Sequence, residues 1–384
     1  MTRSDRPILG RRTYHGVAYG RPTVLAPGSS LLIVGPTQVG KTASLVVPSI
    51  LSWTDALVVT SVKRDVITTT QRWRAALGNV QILEPGRDGG LTWDPLEGVC
   101  TLRHAFRVAQ DLTSRSPAHA DTDFWNSLAV KLVASLMVTA RERSLTIFDV
   151  AAVVELREFG DWLDAAVDGE ARDLLRDFLR HDTKTLDGVV TTVETMLLPW
   201  RFRQPLARVR TVVAASNTLY LCSPRGEQQH YEALFRGAVR MVLEEQQLLV
   251  DEGSQRRLLV VLDEAATVAP LEELDQLAAT VSGLDVTLVT VLQDFSQLVS
   301  RWGPRAATIV NNHTTRVVMA GLADPALGTF LPELVEAKEG VSVVPLRQRK
   351  VGTALVVTRQ RPVTTVRVRP WWRERHLRHR GQRA

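Results

Sequence analysis

Short unbroken apolar runs recur along the chain, each closed by glycine, serine, an amide or a charge. They lie at Leu31–Val34, Ala56–Thr60, Val80–Leu83, Thr218–Cys222, Leu258–Leu262, Val286–Leu292 and Arg316–Ala320. Runs of this length rich in β-branched residues read as strands, and the most apolar of them as parallel strands buried on both faces. Helical stretches separate them: one directly after Thr42, one ending near Ala76, a long one over 227–249, and Leu271–Thr280. Strand and helix alternate, which predicts an α/β core with a mostly parallel sheet.

From His104 to Trp200 the strand runs vanish. Phe124–Met137, Ala151–Glu158, Trp162–Ala166, Ala171–Leu179 and Val189–Leu197 have helical length and composition, and Pro199 ends the last. Residues 101–204 are therefore expected as an all-helical insertion, a second domain burying its own apolar stripes. The core is assigned to 29–100 and 205–370, with short β runs over 340–370. Residues 1–28 are polar and turn-rich and read as a surface arm. Tyr14, His15 and Tyr19 could instead form a small strand pair or touch a nucleotide base, but aromatic residues more often pack.

The chain has 384 residues, which favours two domains. Its formal charge of +6 permits a polyanionic partner without requiring one. Much of that excess sits in the tail 371–384, where Trp371 and Trp372 interleave with arginines. A solvated tail is the expectation. Gripping phosphate or lying on an anionic membrane surface are the alternatives. Cys100 and Cys222 form no disulfide framework or zinc pattern and suit a reducing cytoplasm. The first residues lead into no apolar segment of a signal peptide. No apolar run reaches the roughly 18 residues a membrane span needs.

The first strand runs into Gly35-Pro36-Thr37-Gln38-Val39-Gly40-Lys41-Thr42, the P-loop pattern. Backbone N–H groups of such a turn, and of the helix after it, point at phosphate oxygens. Gly35 and Gly40 are expected because a Cβ would block the backbone's approach. Lys41 supplies charge to the β- and γ-phosphates of ATP, and the Thr42 hydroxyl is a ligand for Mg²⁺. Leu258–Leu262 stops at Asp263-Glu264. In open parallel sheets ligands sit at the carboxyl ends of the strands. Asp263 is thus expected to hold Mg²⁺ through water, and Glu264 to polarise the attacking water. Taken alone, this acidic pair could equally cap a helix. Gln293 ends its strand in the same way, where an amide can bond water and γ-phosphate together. Lys63 and Asp65 follow another strand end and read better as a solvated loop.

The P-loop, Asp263-Glu264-Ala265-Ala266 and Val291-Leu292-Gln293-Asp294 together resemble the type IV coupling proteins of conjugative DNA transfer. So do Val58–Asp65, Trp93-Asp94-Pro95-Leu96 and Phe124-Trp125, and the likeness covers roughly 20–370. The resemblance implies a RecA-like motor core, an all-helical domain facing DNA, ATP hydrolysis and a hexameric ring. DNA, or a DNA–protein complex of the relaxosome type, would be delivered to a secretion channel. Family members often carry N-terminal membrane helices. This sequence is expected to be a soluble, cytoplasmic form, or one held at the inner face of the membrane by an anchoring partner. Ring ATPases commonly borrow an arginine from the neighbouring subunit. Arg225, Arg301, Arg305 and Arg316 are the candidates, with Arg316 preferred because it opens a core strand. The region after Gly328 is short for the family. The alternative to a motor is a nucleotide-gated platform that docks protein cargo. A two-lobed helicase is disfavoured because no second RecA-like domain follows Gln293.

Overall fold

The computed structural model describes residues 6–14, 17–18, 23–113, 120–223, 226–330, 346, 348–359 and 361–381. The strands in chain order are β1 (Ile8–Tyr14), β2 (Val17–Ala18), β3 (Thr23–Val24), β4 (Ser30–Val34), β5 (Ala56–Ser61), β6 (Val80–Leu83) and β7 (Thr92–Trp93). Then come β8 (Leu206–Ala207), β9 (Thr218–Cys222), β10 (Leu258–Leu262), β11 (Val286–Leu292), β12 (Thr315–Met319), β13 (Thr353–Thr358) and β14 (Arg361–Arg367). All but β7 and β8 belong to one sheet, ordered β2-β1-β14-β13-β12-β4-β11-β10-β5-β9-β6, with β3 beside β1.

The heart of this sheet is parallel. β4 lies between β11 and β12, β10 follows β11, and then β5 and β9. Every residue of β4, β5, β9, β10, β11 and β12 is buried, as expected for apolar strands covered on both faces. This is the α/β core with a mostly parallel sheet predicted from the strand runs, and it agrees with the RecA-like core that the resemblance implies. The antiparallel extension is less legible in sequence. β13 pairs with β12 and β14, and β1 pairs with β14 in the register Arg11↔Arg367. The segment read as a surface arm thus supplies strands to the main sheet.

The chain divides into two compact units. One is Met1–Gln81, Thr211–Arg225 and Leu243–Ala384, and the other is Ile82–Arg210 with Gly226–Val242. The second contains the helices α3 (Leu102–Leu112), α4 (Ala120–Glu142), α5 (Ile147–Leu156), α6 (Phe159–Ala165), α7 (Gly169–Leu179) and α8 (Thr183–Leu197). The starts of α3, α7 and α8 are fixed by side chains that accept orphan N–H groups. Thr101 bonds His104 N–H, Asp168 bonds Ala171 N–H, and Asp182 bonds Thr185 N–H. Trp93 and Asp94 organise the same unit. Trp93 is buried and its indole donates to Leu234 O at 3.0 Å, while Trp200 donates to Trp93 O at 2.7 Å. Asp94 accepts from the N–H groups of Leu96 and Ile147. Phe124 meets Trp125 edge-on at 5.2 Å, and Trp125 packs so tightly on Gly188 that an added Cβ there would lie 2.7 Å from the ring.

In the first unit, the P-loop helix begins with a π-helical turn over Thr42–Val46 and continues as α1 (Val47–Ser52). α2 (Asp65–Ala75) follows β5. α9 (Gln228–Asp251) leads from the second unit into the first. α10 (Leu274–Thr280), α11 (Phe295–Trp302), α12 (Ala306–Asn312) and α13 (Leu327–Phe330) complete the core connections. Arg74 of α2 is fully buried. Its guanidinium donates to Thr218 Oγ1 and to the carbonyls of Trp53, Asp55 and Ser216, and burial brings its pKa down to about 10. The tail is not simply solvated. A 3₁₀ turn, Trp371–Arg373, leads to α14 (Arg375–Gly381). Leu377 is buried against Val47 and Leu51, with Trp73 and Trp371 alongside.

Candidate active site

Parallel order brings four strand ends to one edge of the sheet. β4 delivers the P-loop, β10 delivers Asp263-Glu264, β11 delivers Gln293, and β5 delivers Ser61–Asp65. β11, which leads to Gln293, sits between β4 and β10, and Gly35 N–H donates to Leu292 O at 3.3 Å. Ala265 N–H donates to Val291 O at 3.1 Å, which pins the acidic turn to the same strand.

The fold itself also requires both loop glycines. A Cβ on Gly35 would lie 2.5 Å from Met319 Cβ on β12, so it is the neighbouring strand that excludes a side chain. Gly40 has φ +90°, and the nearest atom to an added Cβ is Ser44 Oγ at 3.5 Å. Its need is conformational. Gln38 is also left-handed, at φ +64°. Alternation of this kind turns successive N–H groups inward, the concavity that binds anions. The π-helical turn beginning at Thr42 continues that donor array.

Lys41 is 9% exposed and reaches across the loop, with Nζ donating to Gly35 O and to Pro36 O at 2.9 Å. Burial pulls its pKa below the ordinary lysine value, while the carboxylates of Asp263, Glu264 and Asp294 act against that pull. Asp263 is 6% exposed. Thr60 donates to its carbonyl at 3.0 Å, and the Thr42 hydroxyl donates to its Oδ2 at 3.4 Å. Burial, then the neighbouring Glu264, raises its carboxyl to about 7. A carboxylate so placed is stabilised by a cation. A hydroxyl and a carboxylate oxygen 3.4 Å apart can share one octahedral divalent ion, directly or through water. The donor set therefore fits Mg²⁺.

Glu264 is half-buried and left-handed, at φ +56°. For a non-glycine residue that conformation is uncommon and clusters at functional turns. Its carbonyl accepts from Thr267 and Val268 N–H, which hold the turn. Gln293 is half-buried. Its N–H donates to Gln297 Oε1 at 3.0 Å, and Asp294 caps α11 by accepting from Gln297 N–H at 2.8 Å. Lys63 and Asp65 are exposed, as a solvated loop would be, yet both are felt electrostatically: Lys63 by Lys41, and Asp65 by Asp263. The sequence assigns no role to Thr60 or Asp294, although both lie within the motifs that carry the family resemblance. Asp294 was hidden by its role as a helix cap, and Thr60 by looking like any strand residue.

Arg316, preferred from sequence as the cation lent to a neighbouring subunit, is buried. That residue lies on β12 opposite Leu32, 7% exposed, inside the sheet's own core. It lies close enough to lower the pKa of buried His313. Arg305 is paired with Asp275, and Arg301 is half-buried in α11. Arg225, His15 and Tyr19 lie outside the described residues, as does the side chain of Tyr14.

This sheet, loop and acidic strand end define a RecA-like P-loop protein. The family model described as type IV secretory system conjugative DNA transfer matches residues 5–196, half of the chain, and the chain belongs to that family. A second model, the TraM recognition site of TraD and TraG, matches residues 257–335. A conjugal transfer protein TraG of Escherichia coli is 25% identical over 318 residues, covering 71% of this chain and 49% of that protein. The chain spans about half the length of the curated relatives it matches. Among solved structures, the bacterial conjugative coupling protein TrwBdeltaN70 in its unbound form aligns with a TM-score of 0.69 at 18% identity, covering 96% of this chain and 90% of that one. TrwB in complex with ADP and Mg²⁺ aligns at 0.67 and 18% identity, covering 96% and 91%. Among the described residues, no helix is long and apolar enough to cross a membrane.

Proposed function

We propose that this chain is an ATP-hydrolysing motor that moves DNA, or a DNA–protein complex, toward a transfer channel. The observation that carries the reading is the pairing of Thr42 with buried Asp263 at 3.4 Å beneath Lys41, with Glu264 in the next position. In this reading the N–H groups of Thr37–Lys41 cradle the phosphates. Lys41 exchanges its loop carbonyls for phosphate oxygens. Thr42 and Asp263 would hold Mg²⁺, which when bound would supply positive charge against the phosphates. Glu264 takes the proton of the attacking water, and Gln293 orients that water against the γ-phosphate. The ADP and Mg²⁺ bound by TrwB support these ligands. Membership in the conjugative family supports DNA as cargo, contacted mainly at its phosphates. The TraM-recognition match supports a relaxosome-type protein partner for the core. The helical insertion would be the part that faces DNA, and protomers would assemble in a ring, hexameric by family likeness. The assembly would be cytoplasmic, or held at the inner face of the membrane by a separate anchoring partner.

A second reading, a nucleotide-gated platform for protein cargo, is favoured by the burial of Arg316, which leaves the in-trans cation unassigned. ATP turnover measured with single-stranded DNA, double-stranded DNA and none separates the two. The motor reading expects stimulation by DNA that fades with salt. It also expects Glu264→Gln to retain ATP binding while losing about 10²–10⁴ in turnover. Turnover indifferent to DNA, with a stable cargo complex and a functional Glu264→Gln form, would establish the platform instead.

A further inference from the structure

The folded tail builds a wall beside the P-loop that neither family match covers, since they end at residues 196 and 335. A cavity of about 800 Å³ opens there. On one side it is lined by Gln38, Gly40 and Ser44 of the loop and its helix. On the other stand Arg367 and Arg369 from the end of β14, and Arg373, Arg375 and Arg378 around α14. Trp372 shares that wall with 46% of its surface exposed. No aspartate or glutamate lines the cavity among the described residues. Arg369 lies 4.0 Å from Glu374, whose other oxygen is 3.4 Å from Arg11.

Five guanidinium groups around one cavity repel each other unless an anion is shared among them. The wall is held in place, because Leu377 is buried, Arg380 donates to Leu51 O, and Gly381 packs on Trp371. The volume suits a small molecule, for which cavities of roughly 300–1,000 Å³ are usual. The half-exposed indole offers a face for a base, and guanidinium groups suit phosphate and ribose oxygens.

We propose that this cavity takes the base and ribose of the nucleotide, with Trp372 as the stacking platform and the tail arginines gripping the α-phosphate side. The proposal rests on the P-loop reading above and extends it to a segment outside both family matches. It makes α14 and the residues before it part of the nucleotide site.

The test compares two probes with the full chain and Mg²⁺: ADP, which has a base, and inorganic pyrophosphate, which does not. Trp372→Ala should weaken ADP roughly tenfold, the worth of one stacked base, and leave pyrophosphate unchanged. Trp372→Phe should restore most of the ADP affinity, and a thermal melt of each variant controls for folding. Equal loss of both probes, or no loss of ADP, overturns the proposal. Intact ADP binding with weakened binding of a single-stranded oligonucleotide also overturns it, in favour of a nucleic-acid groove. Lys41→Ala separates the two levels. If it leaves both probes unaffected, the P-loop reading itself fails, and the base site with it.

Discussion

Asp263 is where the chemistry and the stability of this protein meet. Its carboxyl titrates near 3.8 in an unfolded chain and about 7 in the fold. Below the first value it is protonated in both states. Between the two, the folded protein keeps a proton that the unfolded chain has lost. The stability from that proton is full at low pH and drains away as pH rises through about 7, leaving a buried anion. Lys41 offsets part of this, while Glu264 and Asp65 add to it. Asp263→Asn removes the buried charge at almost constant shape. The variant is expected to melt several degrees above the wild type at pH 8, reflecting on the order of 2–4 kcal/mol, and to match it near pH 4. The same variant should lose the rise in melting temperature that ADP with Mg²⁺ gives the wild type. Melting curves over that pH range, with and without ligand, check both halves. A constant offset at every pH would mean that Asp263 carries no buried charge.

The elements divide by how locally they are determined. β4, β10 and β11 could be read from sequence because each is an apolar run buried on both faces. Asp263, Glu264 and Gln293 were legible for the same reason, since each directly follows such a run. β1 was not legible. Ile8-Leu9-Gly10-Arg11-Arg12-Thr13-Tyr14 carries a glycine and two arginines, and becomes a strand by pairing with distant β14, where Arg11 lies opposite Arg367. α14 was hidden in the same way. It has one leucine among basic residues, and its order comes from a distant surface. Arg380 lies 4.4 Å from the centre of the Trp73 ring and donates to Leu51 O at 2.7 Å. A double-mutant cycle of Arg380→Ala and Trp73→Ala should give a coupling of about 1 kcal/mol in urea unfolding. Leu377→Ala should cost about 2–3 kcal/mol, because a fully buried leucine leaves a cavity beside Val47 and Leu51. If truncation at Arg375 left stability unchanged, the tail would have no part in holding the P-loop helix.

At the scale of the whole molecule, the decisive question is whether one protomer's hydrolysis depends on another. An arginine supplied in trans is worth about 10³–10⁵ in rate, so a lone protomer with an intact P-loop can appear inert. The geometry sharpens this. Arg316 is committed to its own core and Arg305 to Asp275, so neither is placed to serve a neighbour. If protomers act in a ring, a subunit that binds ATP but cannot hydrolyse it disables the partners it touches. On the proposed reading Glu264→Gln would be such a subunit, since it keeps Lys41, Thr42 and Asp263 in place. Mixing it with wild type at constant total protein then distinguishes the cases. Independent protomers lose activity in proportion to the variant added, whereas coupled protomers fall far below that line at equal mixture. We expect the steep curve, with specific activity that also rises with protein concentration as subunits assemble. A straight line at every ratio, and activity independent of concentration, would place every group needed for turnover within one chain, and Arg301 of α11 would then be the first cation to test.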